Sequence, residues 1–370
     1  MSQEAIVFTG SLETGQWGEV RKIGVPEVPA GMLLVKAVAY AANPTDWKHV
    51  ALGMGKKGDV IGSDVAGYVE KVGSGVNGFK VGDKVGLTLH GNISSVNGAF
   101  QDYVLVDAPA TVLFDGIDES KVLSPGSHGP GAIDSFEAAA SAPLSLATMA
   151  VSFLYNSGIP MDKEANKDKT VLIWGGATAA GIYGIQLASR LLGVKVIATA
   201  SRKHHDYLKL LGANVVIDYH DADAIEQIKA AGEGKFVYAL DTVSDASTWQ
   251  SLYDATKGSS PVTLDNLLML NAGNLRLDPS RDNDDVKFKQ TLVYQIVPES
   301  QGPIGFGINA NKDLEAKYQQ FSSNHWASFL QQVRTPALTV LKPGLLSANE
   351  ALDLLRLGKT SGEKIVWRHN

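Results

Sequence analysis

Thr170-Val171-Leu172-Ile173-Trp174-Gly175-Gly176-Ala177-Thr178-Ala179-Ala180-Gly181 is the stretch whose reading decides the fold. An apolar run stops abruptly in small residues. A helical pattern then starts with Ile182, Ile185, Leu187, Ala188, Leu191 and Leu192. This is the order of a buried strand, a tight turn and a helix, the opening unit of a dinucleotide-binding sheet. Small residues let the backbone approach a pyrophosphate, and the helix N-terminus offers it unpaired N–H groups. Gly176, Thr178 and Gly181 occupy the three glycine positions of Gly-x-Gly-x-x-Gly, so the middle glycine is replaced.

Composition sets the bounds. The chain has 370 residues, enough for two domains, and is 44% hydrophobic and 19% charged. A net charge of −6 argues against nucleic acid or an anionic membrane as the main partner. No apolar run is expected to reach the ~18 residues that span a bilayer. The opening Met-Ser-Gln-Glu-Ala has no basic region followed by an apolar one, so a cytoplasmic protein is expected. There is no cysteine, hence no disulfide, thiolate nucleophile or cysteine-bound zinc.

Before residue 110 the chain reads as short strands, at 5–8, 32–42, 64–72 and 100–106, punctuated by glycine turns. Residues 124–134 read as a loop, and 136–155 as an apolar bridging helix. From Thr170 strands and helices alternate, which calls for parallel pairing with right-handed crossovers. The expected strands are 170–175, 195–200, 214–218, 236–240, 262–270 and 291–297. Helices are expected at 179–192, 203–211, 222–230, 246–256 and 311–334. The fold class is therefore α/β: a β-rich domain, a doubly wound parallel-sheet domain, and a return segment that completes the first.

The second strand, 195–200, ends in Ser201-Arg202-Lys203 with no carboxylate for a ribose 2′-hydroxyl. A hydroxyl and two cations suit a 2′-phosphate, and Arg202 can bind it in a fork. The alternative is a solvated helix start, although cations there are unfavourable without an anion. NADPH is the expected cofactor, with NADH as the alternative. His204 and His205 diverge on a helix and do not easily share a metal ion. Tyr253 and Lys257 fit Tyr-x-x-x-Lys, but lie too close after the glycine turn to serve as a short-chain dehydrogenase pair.

Several further motifs resemble the medium-chain dehydrogenase/reductase superfamily, in its zinc-independent, quinone oxidoreductase-like branch. They are Asn43-Pro44-Thr45-Asp46, Gly62-Ser63-Asp64-Val65-Ala66-Gly67, Val81-Gly82-Asp83-Lys84-Val85, Gly98-Ala99-Phe100-Gln101-Asp102-Tyr103, Asp241-Thr242-Val243-Ser244 and Ser361-Gly362-Glu363-Lys364-Ile365-Val366. Asn-Pro-Thr-Asp-Trp-Lys is most similar to fungal aldehyde and enoyl reductases. The resemblance implies a GroES-like catalytic domain over 1–135, completed by about 310–370, and a Rossmann domain over 136–309. Zinc-using relatives carry a ligand cysteine at the place of Asn43 and Gly-His-Glu at Gly62-Ser63-Asp64. Amide and hydroxyl oxygens are poor substitutes, so no metal is expected and hydride delivery to an electrophilic acceptor is favoured.

The resemblance also supplies site residues. Lys48 is implied to meet a substrate carbonyl, the alternative being an exposed loop lysine. Asn43 contacts substrate or nicotinamide ribose, or simply forms a turn before Pro44. Asp46 joins the catalytic set, more as a structural carboxylate than as an acid. For the cofactor, Pro44, Thr45, Thr148, Val243, Leu268 and Leu270 belong to the nicotinamide side. Gly176, Ala177, Thr178, Ala179, Ala180 and Gly181 cradle the pyrophosphate, the Thr178 hydroxyl touching a phosphate oxygen. Ser201, Arg202, Lys203 and Tyr219 hold the 2′-phosphate. Gly305-Phe306-Gly307 forms a lid or a plain turn, and Lys364 lies near the cofactor or on an exposed strand.

The function expected is an NADPH-dependent reductase of an aldehyde, a ketone or an α,β-unsaturated carbonyl. A trans-acting enoyl reductase of polyketide assembly and a quinone reductase are the special cases, and a non-catalytic NADPH-binding protein the competing class. Pairing of the apolar edge at 291–297 would make a homodimer; without it the chain is a monomer.

Overall fold

A computed structural model describes residues 1–296 and 309–370. The chain clusters into two compact units: Met1–Leu144 with Val293–Asn370, and Ser145–Leu292.

The first unit opens with an antiparallel hairpin of β1 (Ser2–Phe8) and β2 (Gly18–Gly24). There follow β3 (Met32–Ala41), α1 (Pro44–Ala51), β4 (Asp64–Val72), β5 (Lys84–Thr88), β6 (Tyr103–Asp107), β7 (Thr111–Leu113), β8 (Gly126–His128) and α2 (Phe136–Ala140). The second unit holds most of α3 (Pro143–Val151), then α4 (Lys163–Asn166), β9 (Thr170–Trp174), α5 (Ala179–Gln186), β10 (Lys195–Thr199), α6 (His205–Leu211) and β11 (Val215–Ile217). It continues through α7 (Ala224–Gly232), β12 (Phe236–Asp241), α8 (Ala246–Ala255), β13 (Val262–Asn266) and β14 (Val286–Gln290). The chain then returns to the first unit with α9 (Lys312–Leu330), β15 (Ala337–Val340), α10 (Ser347–Arg356) and β16 (Glu363–Arg368).

The return segment is part of the first unit's main sheet, whose order is β7-β5-β4-β3-β16-β15-β8, with β6 also on β3. β16 is central: it pairs antiparallel with β3 and parallel with β15. Its Ile365 and Trp367 are fully buried in the same core as Trp17, Tyr40, Val65 and Phe100. The second unit is a six-stranded sheet in the order β11-β10-β9-β12-β13-β14, parallel throughout. β9 is buried at every residue, as a strand covered on both faces must be.

Three expectations are corrected. Strand β13 ends at Asn266, so Leu268 and Leu270 lie in the loop beyond it, where Met269 has φ +62°. The sixth strand is 286–290 rather than 291–297. Val286 and Phe288 alternate with lysines, which suits an edge with one face on the core. The apolar run after it turns instead into a 3₁₀ helix, Val293–Ile296, that buries Tyr294 in the first unit, so it provides no edge for a dimer. Finally, Phe136–Asn156 is long and apolar enough to cross a membrane, but 89% of its apolar window is buried inside the protein, as in a core helix.

Candidate active site

In the second unit, β9 runs into Gly175, whose φ of +81° turns the chain toward α5. A Cβ on Gly175 would lie 2.6 Å from the Thr242 hydroxyl and 2.8 Å from Val243. On Gly181 it would lie 2.3 Å from the Gly175 carbonyl. Glycine is therefore required at both ends of the turn, where backbone passes against backbone. Thr178 is the N-cap of α5: its hydroxyl oxygen accepts from Gly181 N at 2.9 Å and its O–H reaches Thr242 Oγ1 at 2.9 Å. The hydroxyl expected to touch a phosphate oxygen thus serves the cap and meets Thr242 here. Ala179 and Ala180, the first helical residues, keep their N–H groups for an outside acceptor. Such a cradle fits a dinucleotide pyrophosphate.

Past the end of β10, Ser201 Oγ lies 3.3 Å from the Tyr219 hydroxyl, so these two predicted residues come together. Arg202 is mostly exposed, and its guanidinium reaches Asp221 at 2.6 Å and Asp218 at 3.4 Å. Those carboxylates follow β11 and were invisible to a reading confined to the end of β10. The carboxyl of Asp218 is held down at about 2, chiefly by the backbone N–H of His220. Lys203 is exposed next to Arg202.

Val243 is 39% exposed on the loop after β12, tethered by its N–H to Asp241 at 3.0 Å. Leu268 and Leu270 both donate their N–H groups to Asn266 Oδ1, at 3.1 and 2.9 Å. Those N–H groups are thus engaged within the loop. Thr148 is half-buried on α3. Gly305, Phe306 and Gly307 lie outside the described residues. Tyr253 and Lys257 both turn to Asp278, through its backbone N–H and its carboxylate respectively.

In the first unit, the start of α1 anchors a buried polar cluster. Asn43 is the N-cap and Pro44 the first helical residue, which has no N–H to satisfy. Asp46 reaches back to Asn43 N at 2.7 Å in a capping box and accepts from Ser63 Oγ at 2.7 Å. Full burial pushes its carboxyl up to about 7, against the pull of those two hydrogen bonds. Asn43 Nδ2 donates to Asp64 Oδ2 at 2.8 Å. The Lys364 ammonium, brought in by β16, donates to Asn43 Oδ1 at 2.5 Å and to Asp64 Oδ2 at 3.0 Å. Leu144 N holds the other oxygen of Asp64 at 2.8 Å. So Asn43, Asp46 and Lys364 converge, and Lys364 is buried rather than on an exposed strand. Lys48, half-buried on the same helix, has its Nζ 5.9 Å from the centre of the Trp47 ring.

Thr45 extends the cluster. Its hydroxyl meets His49 Nε2 at 2.6 Å and the Tyr294 hydroxyl at 3.2 Å. The Tyr294 ring stacks on His90, with centroids 3.9 Å apart. Burial pushes His49 down to about 4 and His90 to about 3, so both are neutral at pH 7, and it raises the Tyr294 hydroxyl. The four-residue spacing of Thr45 and His49 was the one sequence signal for this extension. Tyr294 had none, standing in what read as a strand.

Zinc-using relatives imply a metal at Asn43 and Ser63, and the residues do not fit one. They offer an amide and a hydroxyl, with an ammonium already bonded to the amide oxygen. A dication ~4 Å from that ammonium would be repelled by about 8 kcal/mol at an effective dielectric of 20.

Comparison with known proteins agrees with this architecture. The alcohol dehydrogenase GroES-like domain family matches residues 29–115, and the zinc-binding dehydrogenase family residues 179–260. An uncharacterized protein of Saccharomyces cerevisiae is 34% identical over 96% of this chain and 98% of its own. The trans-enoyl reductase resD of Aspergillus sclerotiorum is 31% identical over 99% of each. The quinone oxidoreductase of Coxiella burnetii shares the fold, with a TM-score of 0.65 at 21% identity over 100% of this chain and 99% of that one. The chain belongs to the medium-chain dehydrogenase/reductase family, with a GroES-like domain and a Rossmann-like domain. It is a family of oxidoreductases that bind a nicotinamide cofactor.

Proposed function

We propose that this protein is an NADPH-dependent reductase delivering a hydride to an aldehyde, a ketone or an α,β-unsaturated carbonyl. The donor set beneath α1 carries the reading. Amide, hydroxyl, carboxylate and ammonium offer no seat for a Lewis acid that would acidify an alcohol. The chemistry left to a bound reduced nicotinamide is hydride delivery to a carbon that is already electrophilic.

The residues divide the work. Gly176 to Gly181 hold the pyrophosphate through close backbone approach and the α5 N-terminus. Ser201, Arg202, Lys203 and Tyr219 receive the 2′-phosphate, with Arg202 exchanging its carboxylate partners for it. Thr148, Val243 and the loop of Leu268 and Leu270 serve the nicotinamide end, and Pro44, Thr45 and Lys364 are further cofactor residues of the first unit. Asn43 and Asp46 order the start of α1, and Lys48 adds a cation on that helix.

An enoyl acceptor is the second reading, favoured by the full-length likeness to a protein named as a trans-enoyl reductase. Incubation of purified protein with NADPH and a panel of aldehydes, enals, enones and quinones tests both. Loss of the reduced-nicotinamide absorbance is expected with at least one carbonyl acceptor, and analysis of the product separates alcohol from saturated carbonyl. No loss with any acceptor would leave a cofactor-binding protein without this activity.

A further inference from the structure

We infer that the Lys364 ammonium is the group that polarises the acceptor carbonyl, a fixed organic cation in the seat where zinc-using relatives place their metal; this rests on the reductase reading. Lys364 lies on β16, a central strand of the first unit's sheet, so the side chain is placed by a paired and largely buried element. Two of its three N–H bonds are committed, one to Asn43 Oδ1 and one to Asp64 Oδ2. Among the described residues the third has no hydrogen-bond partner. Its two acceptors are themselves held, Asp64 by Leu144 N and by Asn43 Nδ2, and Asn43 by the capping box of α1.

A buried donor oriented in advance needs no reorganisation when charge develops on a bound oxygen. The Lys364 side chain keeps 5% of its surface accessible and the Asp64 side chain none, so the access the shell leaves is to the lysine and not to its counter-ion. The Asp64 carboxylate, 3.0 Å away, compensates the charge in the resting state. Lys48 stands elsewhere, half-buried on α1 with its Nζ beside the Trp47 ring.

The step balances simply. The acceptor carbon gains a hydride with its electron pair from the reduced nicotinamide, which is oxidised. The C=O π pair moves onto oxygen, to which the third N–H of Lys364 donates a hydrogen bond, and a proton from solvent completes the alcohol. In a conjugated acceptor the hydride enters at the β-carbon, the enolate oxygen takes the same hydrogen bond, and solvent protonates the α-carbon. Lys364 stays protonated throughout.

Removing Lys364 alone would leave Asp64 as an unpaired buried charge, so the test uses the neutral pair Lys364→Met with Asp64→Asn. Folding is checked by thermal melting, and NADPH binding by fluorescence titration. A loss of at least about 100-fold in kcat is expected while NADPH binding persists. A folded, NADPH-binding double variant within threefold of wild-type kcat would overturn the assignment. A second readout uses only proteins with Lys364 intact: the infrared carbonyl band of the panel's best acceptor, labelled with carbon-13 and bound with NADP. A shift to lower frequency is expected in wild type, and equally in Lys48→Ala. An unshifted band, or one that returns to its solution position in Lys48→Ala, would overturn the assignment even if the double variant does not fold. A wild-type protein that reduces no acceptor fails the reductase reading itself, a result distinct from either.

Discussion

Asp46 is the residue whose charge is most exposed to the fold's demands. Its carboxyl is fully buried and pushed up to about 7 from an ordinary value of 3.8. Between those values the folded state holds a proton that the unfolded state has released. Its contribution is therefore fully present below the unfolded value and is lost as pH rises through the folded one, at ~1.4 kcal/mol per unit. Asp46→Asn is expected to flatten this part of the stability profile, measured by urea unfolding at pH 4.5 and pH 7.5; an identical decline in the variant would locate the dependence elsewhere. Arg202 yields a prediction of opposite sense. Asp221 holds its guanidinium at 2.6 Å, where it would compete with the 2′-phosphate of the proposed cofactor. Asp221→Asn should raise the preference for NADPH over NADH, whereas replacing Arg202 and Lys203 by alanine should reduce it about tenfold or more. Steady-state kinetics with the two cofactors check both.

The strand-turn-helix from Thr170 to Gln186 is the element that the sequence announces most clearly, because each part has a local cause. The strand is apolar at every position, the glycines are sterically required, and Thr178 is a good cap. Gly181→Ala should weaken cofactor binding by more than tenfold, since its Cβ would fall 2.3 Å from the Gly175 carbonyl. Thr178→Val should cost about 1 kcal/mol of stability through the lost cap. Calorimetry and NADPH titration separate the two effects. Where local cause was weaker, the sequence was less legible. Residues 291–297 carry strand-forming composition, yet Val286–Gln290 takes the edge of the sheet, because position in the chain and packing of Val286 and Phe288 outweigh propensity. The buried polar cluster at the start of α1 was half legible. Asn43, Asp46 and Lys364 stood in recognisable motifs, but their convergence with Ser63 and Asp64 is made by pairing of β3, β4 and β16, strands far apart in sequence. For the same reason the carboxylates on Arg202 arrive from the next strand's end and leave no trace beside Ser201.

At the scale of the molecule, the first unit is closed by the last residues of the chain. β16 supplies a central strand, two buried core residues and the Lys364–Asp64 pair, while Arg368 meets the buried Glu137 at 3.1 Å. Truncation after Leu357 should therefore leave the first unit unable to fold, seen as insolubility or loss of its melting transition. A cofactor held by the second unit should raise the melting temperature of the intact chain, by the equivalent of ~2.7 kcal/mol at a hundred times the Kd. The most direct measurement remains the reaction itself: purified protein, NADPH and a panel of carbonyl acceptors, followed at the reduced-nicotinamide band. Catalytic loss of that band with an aldehyde, ketone or conjugated carbonyl, accompanied by the reduced product, is predicted; a band that stays constant with every acceptor would contradict it.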